Sequence, residues 1–201
     1  MKGSERNIVG NVYDKYGSKN PVARWLMQGF LKSVRELYAG AGAKRVLEVG
    51  CGEGRLADDL VRNVAAPEAF CACDLSLERL APELHPMLEF REASIYDLPF
   101  ADGSYDLVIC CEVLEHLERP ELAVAELARV SSRYALVSTP REPLWRVLNL
   151  ARGRYVRDLG NTPGHVQHFN RRTLGALLVS HFRVLEERSP LPWTMYLCER
   201  L

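Results

Sequence analysis

The sequence is short of every feature that would direct it to a membrane, to a polyanion or out of the cell. No apolar run approaches the roughly 18–20 residues that a spanning helix needs, and the opening MKGSERN lacks the apolar core of a secretory leader. Neither sign of charge is in excess, with Lys+Arg 26 against Asp+Glu 26, so no net field draws the chain to nucleic acid or to a bilayer. Internal repeats and low-complexity tracts are absent. The six cysteines lack zinc-ligand spacing. Cys71 and Cys73 alternate along one expected strand, and Cys51, Cys110 and Cys111 sit in or beside others, where a thiol packs as a small hydrophobe. These absences predict a cytoplasmic protein with structural thiols. Its 201 residues suffice for one domain with a sizeable core.

What is present is concentrated in Lys44 to Leu56, KRVLEVGCGEGRL. Val46, Leu47 and Val49 read as a buried parallel strand. Gly50, Gly52 and Gly54 follow on alternate positions, and Leu56, Leu60, Val61 and Val64 then recur at helical spacing. A strand, a glycine turn and a helix let backbone approach a nucleotide-like ligand, because no Cβ intervenes. A second strand, FCACD, ends about twenty residues on in Asp74, where a carboxylate can accept from ribose hydroxyls. A dinucleotide fingerprint would carry a further glycine where this chain has Arg55.

The rest of the chain alternates strands and helices. Asn20 and Pro21 start an expected helix with Trp25, Leu26, Phe30, Val34, Leu37 and Tyr38 on its apolar stripe. Residues 1–44 pack on the sheet edge or, with Tyr13 and Tyr16, form a lid. Ser76 is expected to cap a short helix ending near Pro82. Strands follow at Met87–Phe90, Asp106–Cys111, Tyr134–Ser138, Phe182–Glu187 and Trp193–Cys198, with helices after Pro120 and over Arg171–His181. This order predicts an α/β fold: a Rossmann-like, doubly wound, seven-stranded and mostly parallel sheet closed by an antiparallel C-terminal hairpin.

The fourth strand runs into EVLEH. If the chain turns helical there, Glu112, Glu115 and His116 share one face. GHVQHF adds His165 and His168, and the combined oxygen and nitrogen donors suit magnesium or manganese. Three roles fit these residues: a metal site, a metal-free catalytic or substrate-contacting His116, and packing.

Glu48 completes E-x-G-x-G-x-G, and from Lys44 to about Pro140 the chain resembles the class I S-adenosylmethionine-dependent methyltransferases of the type 11 kind. The resemblance implies a cofactor set of Glu48, Gly50, Cys51, Gly52, Gly54, Asp74, Leu75, Ser94, Ile95 and Cys111. Glu48 would hold the cationic methionine end. Where the family carries an acid toward adenine, four residues before LPF, this chain has Ser94. EVLEHL is similar to the segment of ubiquinone-pathway O-methyltransferases and of small-RNA 3′-terminal 2′-O-methyltransferases. By that resemblance Glu112, Glu115, His116 and the later His165 hold a divalent cation beside the acceptor hydroxyl.

Residues 141–170 form an arginine-rich insertion on the acceptor side, with Arg141, Arg146, Arg152, Arg154 and Arg157 against Glu142 and Asp158. Such arginines form a solvated face or a pocket for an anion. Leu144, Trp145, Val147, Leu148 and Leu150 add an amphipathic helix suited to an aromatic or lipid-like acceptor. Zero net charge and no basic–aromatic alternation argue against nucleic acid. The expected reaction is methyl transfer to a hydroxyl oxygen of a small molecule. The rivals are RNA-end, nitrogen or carbon methylation, and a cofactor-binding module without turnover.

Overall fold

The computed structural model describes residues 20–201. Tyr13 and Tyr16, the expected lid residues, lie outside them. Asn20 caps α1 (Pro21–Ala41): its side chain accepts from the Val22 and Ala23 amides, and Pro21 presets the first turn. The helix buries Met27, Phe30, Val34, Leu37 and Tyr38. Trp25 stands 62% exposed instead of joining that stripe, while the neighbouring Leu26 packs half-buried against the core.

Seven strands follow: β1 (Arg45–Val49), β2 (Ala69–Asp74), β3 (Leu88–Glu92), β4 (Tyr105–Cys111), β5 (Ser131–Pro140), β6 (Phe182–Arg188) and β7 (Trp193–Arg200). They lie in the order β3-β2-β1-β4-β5-β7-β6. Strands β1 to β5 pair in parallel, and β7 runs antiparallel to both β5 and β6. This is the doubly wound sheet with a C-terminal hairpin that the sequence predicts. The helices are α2 (Arg55–Asn63), α3 (Pro120–Val130), α4 (Leu144–Ala151) and α5 (Arg171–Leu178).

Strand alternation builds a core on each face. On β4, Leu107 and Ile109 pack with residues of α1 and α2, while Val108 and Cys110 pack with residues of α3 and α5. All six cysteines are free thiols, five of them buried. Burial holds the Cys73 and Cys198 thiols protonated, pushing both up to about 12, as expected of packing residues.

Two local expectations fail. No helix follows Ser76: residues 75–87 are turns, in which Leu77 donates to Glu92 and Ala81 to the Glu53 carbonyl, while Pro82 and Pro86 withhold two of the amides a helix needs. After Cys111 the chain makes only the 3-10 turn Leu114–His116. Among the described residues no helix is long and apolar enough to cross a membrane.

Candidate active site

The chain crosses from one side of the sheet to the other between β1 and β4, the switch point where open α/β sheets bind ligands beyond the strands' carboxyl ends. The glycine turn lies there. Gly50, Gly52 and Gly54 have φ of 79°, 54° and 73°, a region that side chains resist. The Gly50 and Cys51 amides donate to the Cys73 carbonyl at 2.7 and 3.0 Å, which anchors the turn to β2. A Cβ on Gly50 would stand 2.3 Å from Val113 Cγ2, and one on Gly54 would stand 2.9 Å from Leu84 Cδ1. A Cβ on Gly52 would meet nothing within 4 Å, so that edge of the turn faces open space.

Asp74 accepts from the Gly52 amide at 2.8 Å through Oδ2 and from the Leu75 amide at 2.7 Å through Oδ1. It therefore shapes the turn, and each oxygen keeps a second lone pair for a ligand. Glu48 is buried beneath the turn, where it accepts from the Ala57 amide. Its Oε2 has no hydrogen-bond partner among the described residues. Burial, helped by the charge of Asp74, raises the Glu48 carboxyl to about 8. A buried acceptor with an unused oxygen fits a cationic ammonium.

The remaining expected cofactor residues line the same edge. Half-exposed Leu75 follows β2, and Cys111 ends β4. Ser94 and Ile95 follow β3 in a loop closed by the Ser94–Asp97 bridge, with the Ser94 hydroxyl accepting from the Tyr96 amide at 3.3 Å.

Beyond β4, Glu115, His116 and His165 converge, all three buried, with their ligand atoms within 4.8 Å of one another. The Glu115 carbonyl accepts from the Val166 and Gln167 amides, which draws the insertion onto the turn. His116 Nδ1 lies 2.9 Å from the Gly164 carbonyl. A carbonyl only accepts, so Nδ1 carries a proton, and in the neutral ring Nε2 keeps its lone pair. Nε2 lies 4.0 Å from Glu115 Oε1. The His165 ring meets His116 edge-on at 4.8 Å.

Glu112 does not join them. It has φ 62°, so the one-face spacing of a helix never forms. Its Oε1 accepts from the Ser138 hydroxyl at 3.1 Å and its Oε2 from the Trp193 indole at 2.6 Å. Tertiary hydrogen bonds orient this carboxylate, which the sequence pattern assigned to the metal set, and it is not part of the Glu115, His116 and His165 group. His168 is likewise apart, bonded to Asn161 at 2.9 Å. Sequence reasoning missed the Gly164 carbonyl and Trp193, and it placed Trp145 on an acceptor-side helix without its contact to His165. Trp145 stacks near His165 at 6.3 Å and donates to Thr162 at 2.9 Å. No local pattern signals such contacts, since Trp193 and Glu112 stand 81 residues apart.

Comparison with known proteins extends this geometry. Residues 47–136 match the family described as a methyltransferase domain. A Mycobacterium tuberculosis protein named as a probable S-adenosylmethionine-dependent methyltransferase is 34% identical over 139 residues, which are 68% of this chain and 47% of that protein. The mitochondrial ubiquinone biosynthesis O-methyltransferase of Schizosaccharomyces pombe is 30% identical over 133 residues, 61% of this chain and 46% of that one. The chain thus spans about half the length of these relatives. Among solved structures, magnesium protoporphyrin IX methyltransferase from Synechocystis PCC 6803, with bound S-adenosylhomocysteine, superposes with a TM-score of 0.66 at 19% identity, covering 96% of this chain and 91% of that one. Fold, glycine turn and sequence relationship agree: the chain belongs to the class I S-adenosylmethionine-dependent methyltransferases.

Proposed function

We propose that the protein transfers a methyl group from S-adenosylmethionine to a hydroxyl oxygen of a small molecule. The observation that carries this reading is the contact between the two halves of the site. Gly50, in the turn, leaves just the space that Val113, at the start of the histidine-bearing turn, occupies. Cofactor and catalytic side chains therefore share one wall.

When bound, S-adenosylmethionine supplies the methyl, which passes in line from sulfonium sulfur to the acceptor oxygen. The chain's own residues position and deprotonate. Gly52 offers open backbone to the ligand, Asp74 keeps acceptor capacity for the ribose, and Glu48 presents its unused oxygen to the ammonium. Ser94 and Ile95 border the adenine, with a hydroxyl in place of a carboxylate. His116 Nε2, oriented by the Gly164 carbonyl, is placed to receive the acceptor proton. Glu115, His116 and His165 also fit a magnesium or manganese ion as one oxygen and two nitrogen donors, with Gly164 serving as an outer partner of His116. Such an ion would lower the hydroxyl pKa. Six free thiols suit a reducing compartment such as the cytoplasm.

The test has two parts. S-adenosylhomocysteine should raise the melting temperature by mass action while NAD does not. Labelled methyl should pass from S-adenosylmethionine to a catechol or phenol, before and after EDTA treatment. Loss on EDTA and recovery with Mn2+ would assign the metal role. Persistence would leave His116 as the base. No shift with S-adenosylhomocysteine would overturn the reading.

A further inference from the structure

A cavity of about 180 Å3 opens between the start of α1, the end of α4 and the start of β7. Its walls include Leu26 and Met27 of α1, Leu148 of α4, Pro192, and the indoles of Trp145 and Trp193. None of the expected cofactor residues lines it, and neither does Glu115, His116 or His165. It is therefore a compartment separate from the glycine turn and from the histidine group.

The polar groups on its wall are already engaged within the protein. Asn149, 1% exposed, donates to the Gly160 carbonyl at 2.8 Å and to Thr162 at 3.2 Å, and its amide oxygen accepts from Arg152. Thr162 also accepts from the Trp145 indole at 2.9 Å, and the Trp193 indole donates to Glu112 at 2.6 Å. The Pro192 carbonyl accepts from the Arg141 amide at 2.8 Å, and Arg154 has a partner as well. The Tyr155 phenol, the other polar side chain of the wall, offers a neutral hydrogen bond and no charge. A charged ligand would lose its water here without gaining an unpaired counter-charge, and burial penalises that heavily. What the wall leaves for a ligand is apolar surface.

Size and shape narrow the class further. An apolar cavity of about 150 Å3 stays dry and accepts a benzene molecule in another protein, so this one has room for a single ring. The two indoles, with centroids 5.8 Å apart and planes tilted by 54°, form aromatic walls, which favour a ring over a chain. Trp145 also stacks near His165, with centroids 6.3 Å apart and planes 23° apart. A ring seated here would share that indole with the histidine group.

We propose that this cavity is a binding site for an uncharged, ring-sized apolar group, in chemical class an aromatic hydrocarbon ring or the apolar ring of a larger neutral molecule. The claim concerns binding and goes beyond the methyl-transfer reading without resting on it.

The probe is toluene, with benzoate as its charged counterpart, titrated against tryptophan fluorescence and against melting temperature. Two of the three tryptophans line the cavity. Toluene should quench, raise the melting temperature and bind at least about tenfold tighter than benzoate. From benzene to toluene, affinity should rise about fourfold for the added carbon. Ala23→Phe and, independently, Ala151→Phe fill the cavity and should each weaken toluene by about tenfold or more while S-adenosylhomocysteine still binds. No toluene response, benzoate binding as well as toluene, or toluene binding that survives both filling variants would overturn the proposal. Toluene affinity that falls as protein concentration rises would seat a second copy of the chain in the cavity and overturn it too. Toluene binding without any S-adenosylhomocysteine response would keep the cavity assignment and remove the methyl-transfer reading instead.

Discussion

The two sides of this site are built from different materials. On the proposed cofactor side, β1, β2 and β4 present backbone: three glycines at positive φ, amides bonded to the Cys73 carbonyl and an aspartate that pins its own turn. On the proposed acceptor side, side chains reach across long stretches of sequence, His116 to Gly164 over 48 residues and Trp193 to Glu112 over 81. The first kind of geometry is set by what each residue's φ permits. The second exists only when separate segments pack together. Cofactor geometry should therefore break through backbone substitutions, and acceptor geometry through side-chain ones.

The largest effect should come from the side chain proposed as the base. His116→Ala should lower turnover about 10²- to 10⁴-fold while leaving S-adenosylhomocysteine affinity unchanged by calorimetry. Equal loss of both would erase the division between the two sides. Next, Gly50→Ala combines a left-handed φ with a clash against Val113 and should cost about 3 kcal/mol in denaturant unfolding. Gly52→Ala, with nothing near its Cβ, should cost only about 1 kcal/mol. If the two substitutions proved equal, the contact between glycine turn and histidine turn would not matter energetically.

Glu112→Gln exchanges a charged acceptor for a neutral one at Trp193 and should cost about 1–2 kcal/mol. Because Glu112 stands outside the three-ligand group, Mn2+ affinity measured by titration should not change; a drop would return it to the metal set. The last effect is a slope with pH and not a single loss. The folded Glu48 carboxyl titrates at about 8 rather than its ordinary 4.5 because burial penalises its charge. The folded state then keeps a proton that the unfolded chain releases, so stability falls as pH rises from about 5 to 8 and levels off above. The slope should be at most about 1.4 kcal/mol per pH unit. Glu48→Gln should flatten it, as read from unfolding at several pH values.

The parallel strands, the glycine turn and Asp74 were legible because each is a short-range pattern. Apolar runs such as Val46–Val49 have few alternatives to a buried strand, and glycines on alternate positions after one have few alternatives to a tight turn. The helix expected after Ser76 failed for a related reason: Ser76, Leu77 and Leu80 match a helix start, but tertiary acceptors such as the Glu53 carbonyl outbid it.

Glu112 marks the boundary most sharply. EVLEH reads as one helical face, and only the folded chain brings Ser138 and Trp193 to that carboxylate, turns its backbone to φ 62° and leaves Glu115 and His116 to meet His165. The amino-acid sequence by itself determined the α/β sheet, the glycine turn and the kinship with methyltransferases, because hydrophobic period and glycine φ act within a few residues. The tertiary structure alone decided which carboxylate joins the histidines, because that follows from packing between residues whose separation in sequence carries no local signal.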